Sequence, residues 1–419
     1  MKKNSITNAI WMVSEKLVTL FGLFFVTSFV AKYIGPSRFG QLALAIAIFQ
    51  VIQVIAQLGC DNIIFKRVSE KVTSGLKLIY STFLIRGGIY FLFSMVVLLA
   101  FYSKSDFINY IFLISVCIAC FFTSMDVFTI YNDATLNSKF NTIANVLGLI
   151  VGLVLRYAIA FFELPVYFLS IPIILTTLIP FLIRLAYTPK VTFIKSKDKW
   201  RYNKYLFSTG IPLVISTVSM TIYSRVNQFS LSYLKGSYEL GIYSVALTLG
   251  TAWVFIGNAL AISYLSKIYA EKNELLALNK TSGLLSGVFI LLSVFPLFFY
   301  FFGEKVIVTL YGEKYIGSYE IIIILCISTI ITALGFISNR YIVKLSGYRY
   351  LSKKTFIVLT LSIPISTALV YFYGVFGAAY SVLIVEFLSL TIMNYFFRNG
   401  IILKLHLAAF NLRNISTLK

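Results

Sequence analysis

The sequence predicts an all-α integral membrane protein with twelve transmembrane helices in two pseudo-symmetric six-helix bundles. Three observations lead there: the composition, the spacing of the apolar runs, and a motif that recurs at a constant offset. Of 419 residues, 59% are apolar and 12% are charged, and the mean hydropathy is +0.89. A soluble domain carries about 45–50% apolar and about 25% charged residues. This chain lacks the polar surface to cover a water-soluble globule, so its core must face lipid. One spanning helix takes about 20 apolar residues, so twelve take roughly 240, and loops use the remainder. No catalytic or nucleotide-hydrolysing domain fits outside the membrane, and the chain is not expected to be an enzyme.

The elements follow in order. Span 1, 8–31, comes after Lys2 and Lys3 in the manner of a signal peptide. Glu15 and Lys16 interrupt it and no small-residue cleavage site follows, so it reads as a retained helix. The turn Ile34-Gly-Pro-Ser-Arg-Phe-Gly40 leads into span 2, 42–65, and spans 3 and 4 cover 79–101 and 110–131. Span 4 holds Cys117-x-x-Cys120; with no thioredoxin-like context these read as plain helix residues, as do Cys60 and Cys326. Spans 5 and 6, 142–162 and 166–187, are separated by Glu163-Leu-Pro165. The second set runs 206–232, 242–264, 281–302, 320–342, 355–373 and 377–397, its last pair joined by Gly374-Val-Phe-Gly377. The domains are therefore 1–187, a basic linker at 188–205, 206–397, and a basic tail at 398–419.

The formal charge is +21, from 36 Lys and Arg against 15 Asp and Glu. On a soluble protein that would suggest nucleic acid; here it reads as topology. With the N-terminus in the cytoplasm, the inside segments collect 25 basic residues and the outside segments 6. Over short loops this is a strong positive-inside signal, placing both termini in the cytoplasm. Asn279-Lys-Thr281 and Asn414-Ile-Ser416 match the glycosylation pattern but fall on that side. His406 is the only histidine, which removes a His-based metal site or triad, and no P-loop, GxGxxG or zincin motif occurs.

An internal repeat supports the two-bundle architecture. Lys32-Tyr-Ile-Gly35-Pro-Ser-Arg-Phe-Gly40-Gln-Leu-Ala-Leu-Ala45 follows span 1, and Leu234-Lys-Gly236-Ser-Tyr-Glu-Leu-Gly241-Ile-Tyr-Ser-Val-Ala246 follows span 7. Both glycines and the alanine register at an offset of 201. Six spans separate the copies, so the halves share one orientation and are related by an axis along the membrane normal, as in some transporters.

The chemistry is expected in the ionisable residues inside the spans. An Arg or Lys at a helix centre opposes insertion by about 2.5–3.5 kcal/mol, so such residues face a partner or a wet cavity. Lys16, Arg86, Arg156 and Arg225 lie deep; Arg184 sits near a helix end and is expected to snorkel. The acids are Glu15, Asp61, Asp126 and Glu386. Asp61 has a simpler reading, capping or pairing with Lys66 and Arg67. In span 7, Thr217, Thr221, Ser224 and Gln228 form a stripe about 60° wide, flanked by Arg225 and Asn227. Span 1 has a similar face in Asn8, Trp11, Glu15, Thr19 and Gly22. The plain reading is hydrogen bonding between helices; equal placement in both copies favours a central aqueous cavity between the halves. Gly148-xxx-Gly152 and Gly283-xxx-Gly287 permit close helix approach, and Pro172, Pro180, Pro212, Pro296 and Pro364 are expected to kink their helices.

Asn8-x-x-Trp11, Tyr33-Ile-Gly-Pro-Ser-Arg-Phe-Gly40 and Leu58-Gly59 resemble the first half of polysaccharide exporters of the O-antigen (Wzx) flippase type. Gly210-Ile-Pro212, Gly241-Ile-Tyr-Ser-Val-Ala246, Leu310-Tyr-Gly-Glu-Lys-Tyr315 and Gly374-Val-Phe-Gly-Ala-Ala379 resemble the second half, so the likeness covers essentially the whole chain. That family belongs to the multidrug/oligosaccharidyl-lipid/polysaccharide (MOP) exporter superfamily. The resemblance implies a MATE-like V shape with a central cavity. It also implies alternating access that carries an undecaprenyl-pyrophosphate-linked sugar unit from the cytoplasmic to the periplasmic leaflet of the bacterial inner membrane. Many members carry an acidic residue in span 7 where this chain has Asn227, so a coupling-ion role is not carried over to that position.

Such a substrate suits the residues. A pyrophosphate needs cations, best supplied by guanidinium forks, and Lys16, Arg86, Arg156 and Arg225 are the expected contacts. Thr217, Thr221, Ser224, Asn227 and Gln228 would bind sugars. Glu15, Asp61, Asp126 and Glu386 are candidates for ion pairing or for proton or sodium coupling; no cofactor is expected. The partners expected are the lipid-linked oligosaccharide, membrane lipids and other glycan-assembly membrane proteins, with no nucleic acid. The alternatives are a multidrug cation exporter of the same superfamily, which would want an anionic cavity, and a membrane glycan polymerase. The latter would want a large outer loop, and the longest here, Gly303 to Tyr319, is small and mostly uncharged.

Overall fold

The computed structural model describes residues 2–59, 61–103, 105–188, 196–411 and 414. Side chains are described for these except 2–21, 23–26, 62, 196–201, 203, 205–213, 216 and 266. The described secondary structure is helical, with no strand. The chain divides into two units, Met1–Ile222 and Tyr223–Lys419. The first holds α1 (Lys2–Gln57), α2 (Asp61–Glu70), α3 (Val72–Tyr102), α4 (Phe107–Met125), α5 (Phe128–Ala134), α6 (Ser138–Phe161) and α7 (Ser170–Tyr187). The boundary falls inside α8 (Ser196–Leu234), which begins within the expected linker. The second unit continues with α9 (Ser237–Thr251), α10 (Val254–Ala270), α11 (Glu274–Tyr311), α12 (Gly317–Lys344), α13 (Tyr348–Leu390), α14 (Ile392–Tyr395) and α15 (Ile401–Ala409).

Nine helical stretches among the described residues are long and apolar enough to cross a membrane. Helix α1 turns at Gly35 and α13 at Gly374, so each supplies two crossings. Those second arms, with α8, bring the crossings to twelve. Bands of exposed side chains agree with lipid contact, among them Leu84, Phe91 and Leu92 on α3 and Leu297, Tyr300 and Phe301 on α11.

The repeat seen in the sequence has a matching backbone. Gly35 sits at φ 77°, ψ 167° and Gly236 at φ 91°, ψ −179°. Side chains other than glycine rarely enter that region. Downstream, Gly40 and Gly241 are both buried, as are Ala45 and Ala246. One turn geometry, followed by one packing register, is used twice.

Several apolar runs expected as single spans are interrupted. The second arm of α1 ends at Gln57, where Leu58 and Gly59 take positive φ and turn the chain into α2. The run 110–131 breaks between α4 and α5, where Asp126 leaves helical geometry at φ −77°, ψ 64°. The run 242–264 breaks between α9 and α10 at Ala252 and Trp253, and the last run at Thr391. Hydropathy cannot see these breaks because the residues on both sides stay apolar.

In the first unit, one core packs Phe49 and Ile52 of α1 against Tyr90 of α3 and Leu113, Val116, Cys117 and Cys120 of α4. Cys117 and Cys120 are buried helix residues outside any disulfide, as read from the sequence. A second core joins α2, α3, α5 and α7 through Ile64, Leu78, Phe128 and Phe181. The second unit's core spans α10, α11 and α12 and takes in Ile402 and Leu405 of α15. The expected basic tail therefore begins as a packed helix. Both glycines of the α6 motif are close contacts. A Cβ at Gly148 would lie 2.6 Å from the Pro180 ring, and one at Gly152 would strike the Thr176 methyl. In α11, Gly287 faces open space.

Candidate functional site

The first unit encloses a polar cavity of about 380 Å³. Seven helices line it: Gln57 from the end of α1, Asp61 from the start of α2 and Arg86 from mid-α3. Thr123 comes from α4, Thr129 from α5 and Asn145 from α6, with Asp126 at the α4–α5 break and Thr176, Thr177, Pro180 and Arg184 from α7. The local breaks make this convergence. The Leu58-Gly59 turn brings Gln57 and Asp61 to one end of the cavity, and the break at Asp126 turns that carboxylate out of its helix. Glycines 148 and 152 let α7 approach α6, so the α7 threonines and Arg184 reach the cavity beside Asn145.

Arg184 is 3% exposed, and this corrects the expectation that it snorkels. Its Nη1 donates to Asp126 Oδ2 and its Nη2 to Asn145 Oδ1. Nη2 also lies 3.4 Å from the Asn141 carbonyl. The physical reason is that two polar partners already inside the unit offer better satisfaction than a stretched route to the interface. A further layer fixes Asn141. Its amide nitrogen donates to Asp133 Oδ1 at 2.8 Å and to the Thr129 carbonyl at 2.9 Å, and Asn132 donates to its oxygen at 2.9 Å.

Arg86 is 1% exposed, and its Nη2 lies 3.8 Å from Asp61 Oδ1. Asp61 therefore pairs across to α3. Lys66 and Arg67, its other expected partners, both meet Glu70 instead. Arg156, on α6, is half-buried and makes no hydrogen bond or ion pair with any described residue. Asn145 and Arg156 are eleven residues apart, three helical turns, so they share a face about 16 Å apart. The side chains of Glu15 and Lys16 lie outside the described residues.

The polar face of span 7 divides. Thr217 and Ser224 are exposed and Thr221 half-buried, and Thr217 and Thr221 bond back to Val214 and Thr217 carbonyls. The following residues turn into the second unit. Arg225 Nη1 donates to Gln228 Oε1 at 3.0 Å. Asn227 Oδ1 accepts from Ser366 and Ser381, both at 2.5 Å, tying α8 to the two arms of α13. Glu386, on the second arm of α13, accepts a 2.6 Å bond from the Tyr223 hydroxyl. Lys354 donates to Asn394 Oδ1 at 2.8 Å and Asn339 Oδ1 at 3.0 Å.

The structure thus brings Arg86, Asp61 and Asp126 to one cavity and places Arg225, Asn227, Gln228 and Glu386 in the other unit. Sequence reasoning missed Gln57, Asn145 and the functional placement of Arg184. A signal existed: Asn141, Asn145, Gly148 and Gly152 recur at steps of three and four, a polar and small stripe along α6.

An all-helical fold of twelve crossings, with buried ion pairs around a polar cavity, defines a multi-pass membrane protein. A family model described as "Polysaccharide biosynthesis protein" matches residues 5–263, and the chain belongs to that family. The capsular polysaccharide biosynthesis protein CapF of Staphylococcus aureus is 25% identical over 222 residues, which is 48% of this chain and 56% of that protein. The chain thus matches just over half the length of that relative. Among solved structures, an inward-facing multidrug resistance MATE family transporter of the MOP superfamily superposes with a TM-score of 0.65 at 15% identity. That likeness covers 98% of each chain. The lipid II flippase MurJ in an inward closed conformation gives 0.62 at 16% identity, over 97% of this chain and 91% of that one. These likenesses show that the chain shares the fold of those two structures.

Proposed function

We propose that the chain is a flippase of the bacterial cytoplasmic membrane. It moves an undecaprenyl-pyrophosphate-linked oligosaccharide, an O-antigen or related surface-polysaccharide repeat unit, from the cytoplasmic to the outer leaflet by alternating access. The observation that carries this reading is the cavity of the first unit: a hydrogen-bonding chamber within the membrane-spanning part of a polysaccharide-biosynthesis protein. A lipid-linked sugar has a head that cannot cross hydrocarbon unaided, and such a chamber replaces the water it leaves. The half-buried guanidinium of Arg156, with no carboxylate beside it among the described residues, is the natural contact for the diphosphate. Lys16 and Arg225 are further cationic candidates, and the exposed hydroxyls of Thr217 and Ser224 are further sugar contacts.

The test is deletion of the gene in its own bacterium, followed by a gel of surface polysaccharide and extraction of undecaprenyl-linked intermediates. The expected result is lost surface glycan, with complete repeat units accumulating on the lipid and reachable only from the cytoplasmic face. Normal glycan together with raised sensitivity to cationic drugs would overturn this reading in favour of multidrug export.

A further inference from the structure

The cavity of the first unit carries a sharper assignment, which rests on the flippase reading above. We propose that it is a saccharide subsite, taking uncharged sugar hydroxyls of the repeat unit, while the diphosphate is held elsewhere. The first argument is charge. The cavity is lined by two guanidinium groups, Arg86 and Arg184, and two carboxylates, Asp61 and Asp126. They stand as pairs, Arg184 on Asp126 and Arg86 facing Asp61 at 3.8 Å. A diphosphate entering here would displace or face both carboxylates behind low-dielectric walls, where like charges repel strongly. A neutral ligand meets no such opposition.

The second argument is the balance of donors and acceptors. The wall offers acceptors in the carboxylates of Asp61 and Asp126 and donors in the guanidinium groups of Arg86 and Arg184. A hydroxyl group both donates and accepts, so sugar hydroxyls suit such a mixed wall, which neither a phosphate oxygen nor an ammonium matches. The same wall adds the amide of Gln57 and the hydroxyls of Thr123, Thr176 and Thr177. A volume of about 380 Å³ falls in the range of small-ligand pockets, about 300–1,000 Å³. The division of labour follows along α6: Asn145 faces the sugar and Arg156, three turns away on the same face, faces the diphosphate.

The experiment compares two substrates in proteoliposomes of the purified full chain: the complete lipid-linked repeat unit, and the same lipid diphosphate carrying only its first sugar. Gln57→Leu combined with Thr123→Val removes hydrogen bonding while sparing both ion pairs. It should slow transport of the complete unit about tenfold, the value of roughly one good hydrogen bond, and leave the truncated carrier at the wild-type rate. Arg156→Ala should impair both substrates. A direct binding arm uses the lipid-free oligosaccharide and inorganic pyrophosphate as probes. The native cavity should bind the oligosaccharide in a manner lost in the double variant. Pyrophosphate binding should be indifferent to that variant and should strengthen in Asp61→Asn, which leaves Arg86 without its counter-charge. Equal slowing of both substrates, or pyrophosphate binding that depends on Gln57 and Thr123, would overturn the subsite. A wild-type protein that moves neither substrate would instead count against the flippase reading, and the binding arm would still decide the subsite.

Discussion

The two units bury charge in opposite ways. In the first, each buried arginine of the cavity meets a carboxylate, and the pairs stand around open space. In the second, cation and carboxylate face each other without a direct ion pair and take their hydrogen bonds from neutral groups: Lys354 bonds to the amide oxygens of Asn339 and Asn394, and Glu386 to the hydroxyl of Tyr223. A paired charge is locked by its counter-ion, whereas a charge solvated by neutral groups can gain or lose a proton without leaving a stranded opposite behind. On this comparison the first unit holds its cavity charges as fixed pairs, and the second holds its charges on neutral hydrogen-bond partners.

The largest effect expected from this contrast is on stability. Arg184→Ala leaves the Asp126 carboxylate buried and unpaired, a loss of about 3–5 kcal/mol, with little folded protein recovered from detergent. Lys354→Met removes a cation whose partners are neutral amides, and unmet amides lose only about 1–3 kcal/mol. Thermal unfolding in one detergent checks the order; a larger loss for Lys354→Met would break the comparison. Replacing Arg184 and Asp126 together by Met and Leu should recover much of the stability while leaving the cavity without its central pair.

The glycine motifs sharpen the contrast at the level of packing. Gly152→Ala drives a methyl into Thr176 on α7 and should lose about 1–3 kcal/mol through overpacking. Gly287→Ala on α11 meets open space and should shift stability by no more than about 0.5 kcal/mol. The same unfolding assay decides it; equal effects would show that the α6–α7 approach can relax. The two motifs are indistinguishable on paper, which marks the limit of the sequence. The apolar runs, the repeat and the intramembrane placement of Arg86, Asp126 and Glu386 were legible because hydropathy and spacing are local properties. Partners were not legible: Arg184 and Asp126 lie 58 residues apart, and it is the break at Asp126 that turns its carboxylate toward α7. Arg184 was misread because nearness to a helix end was weighed without knowing what stood beside it.

A smaller structural effect with a larger functional one is expected at Glu386. Gln keeps an acceptor for Tyr223 and removes the negative charge, so Glu386→Gln should be nearly neutral for stability. The groups facing this carboxyl are Tyr223 of α8, with Tyr243 of α9 behind it, Thr332 of α12 and Lys354 of α13. If the second unit couples transport to protons, the variant should still bind substrate but lose the response of transport to an imposed pH gradient. Transport that responds to the gradient as wild type does would remove Glu386 from coupling and leave it a structural acceptor.

The smallest effect concerns α15, where the second unit has a titratable group outside the spans. The His406 ring is bonded by Nε2 to Ser338 Oγ at 3.0 Å and by Nδ1 to Tyr395 Oη at 3.2 Å. Ile402 and Leu405 dock beside it in the core. Burial first, and the Lys354 charge second, hold its pKa down, from the ordinary 6.5 to about 4. The docked helix therefore prefers neutral histidine, while an undocked tail takes up a proton near pH 6.5. Docking is at full strength above that value and weakens as pH falls from 6.5 toward 4, below which both forms are protonated and the loss levels off. Hydrogen exchange of amides 401–409, corrected for intrinsic rates, should accelerate between pH 7.5 and 5. His406→Asn, which cannot titrate there, should show no such acceleration. An equal response in both proteins would assign the acid sensitivity to another group and leave α15 a purely apolar anchor.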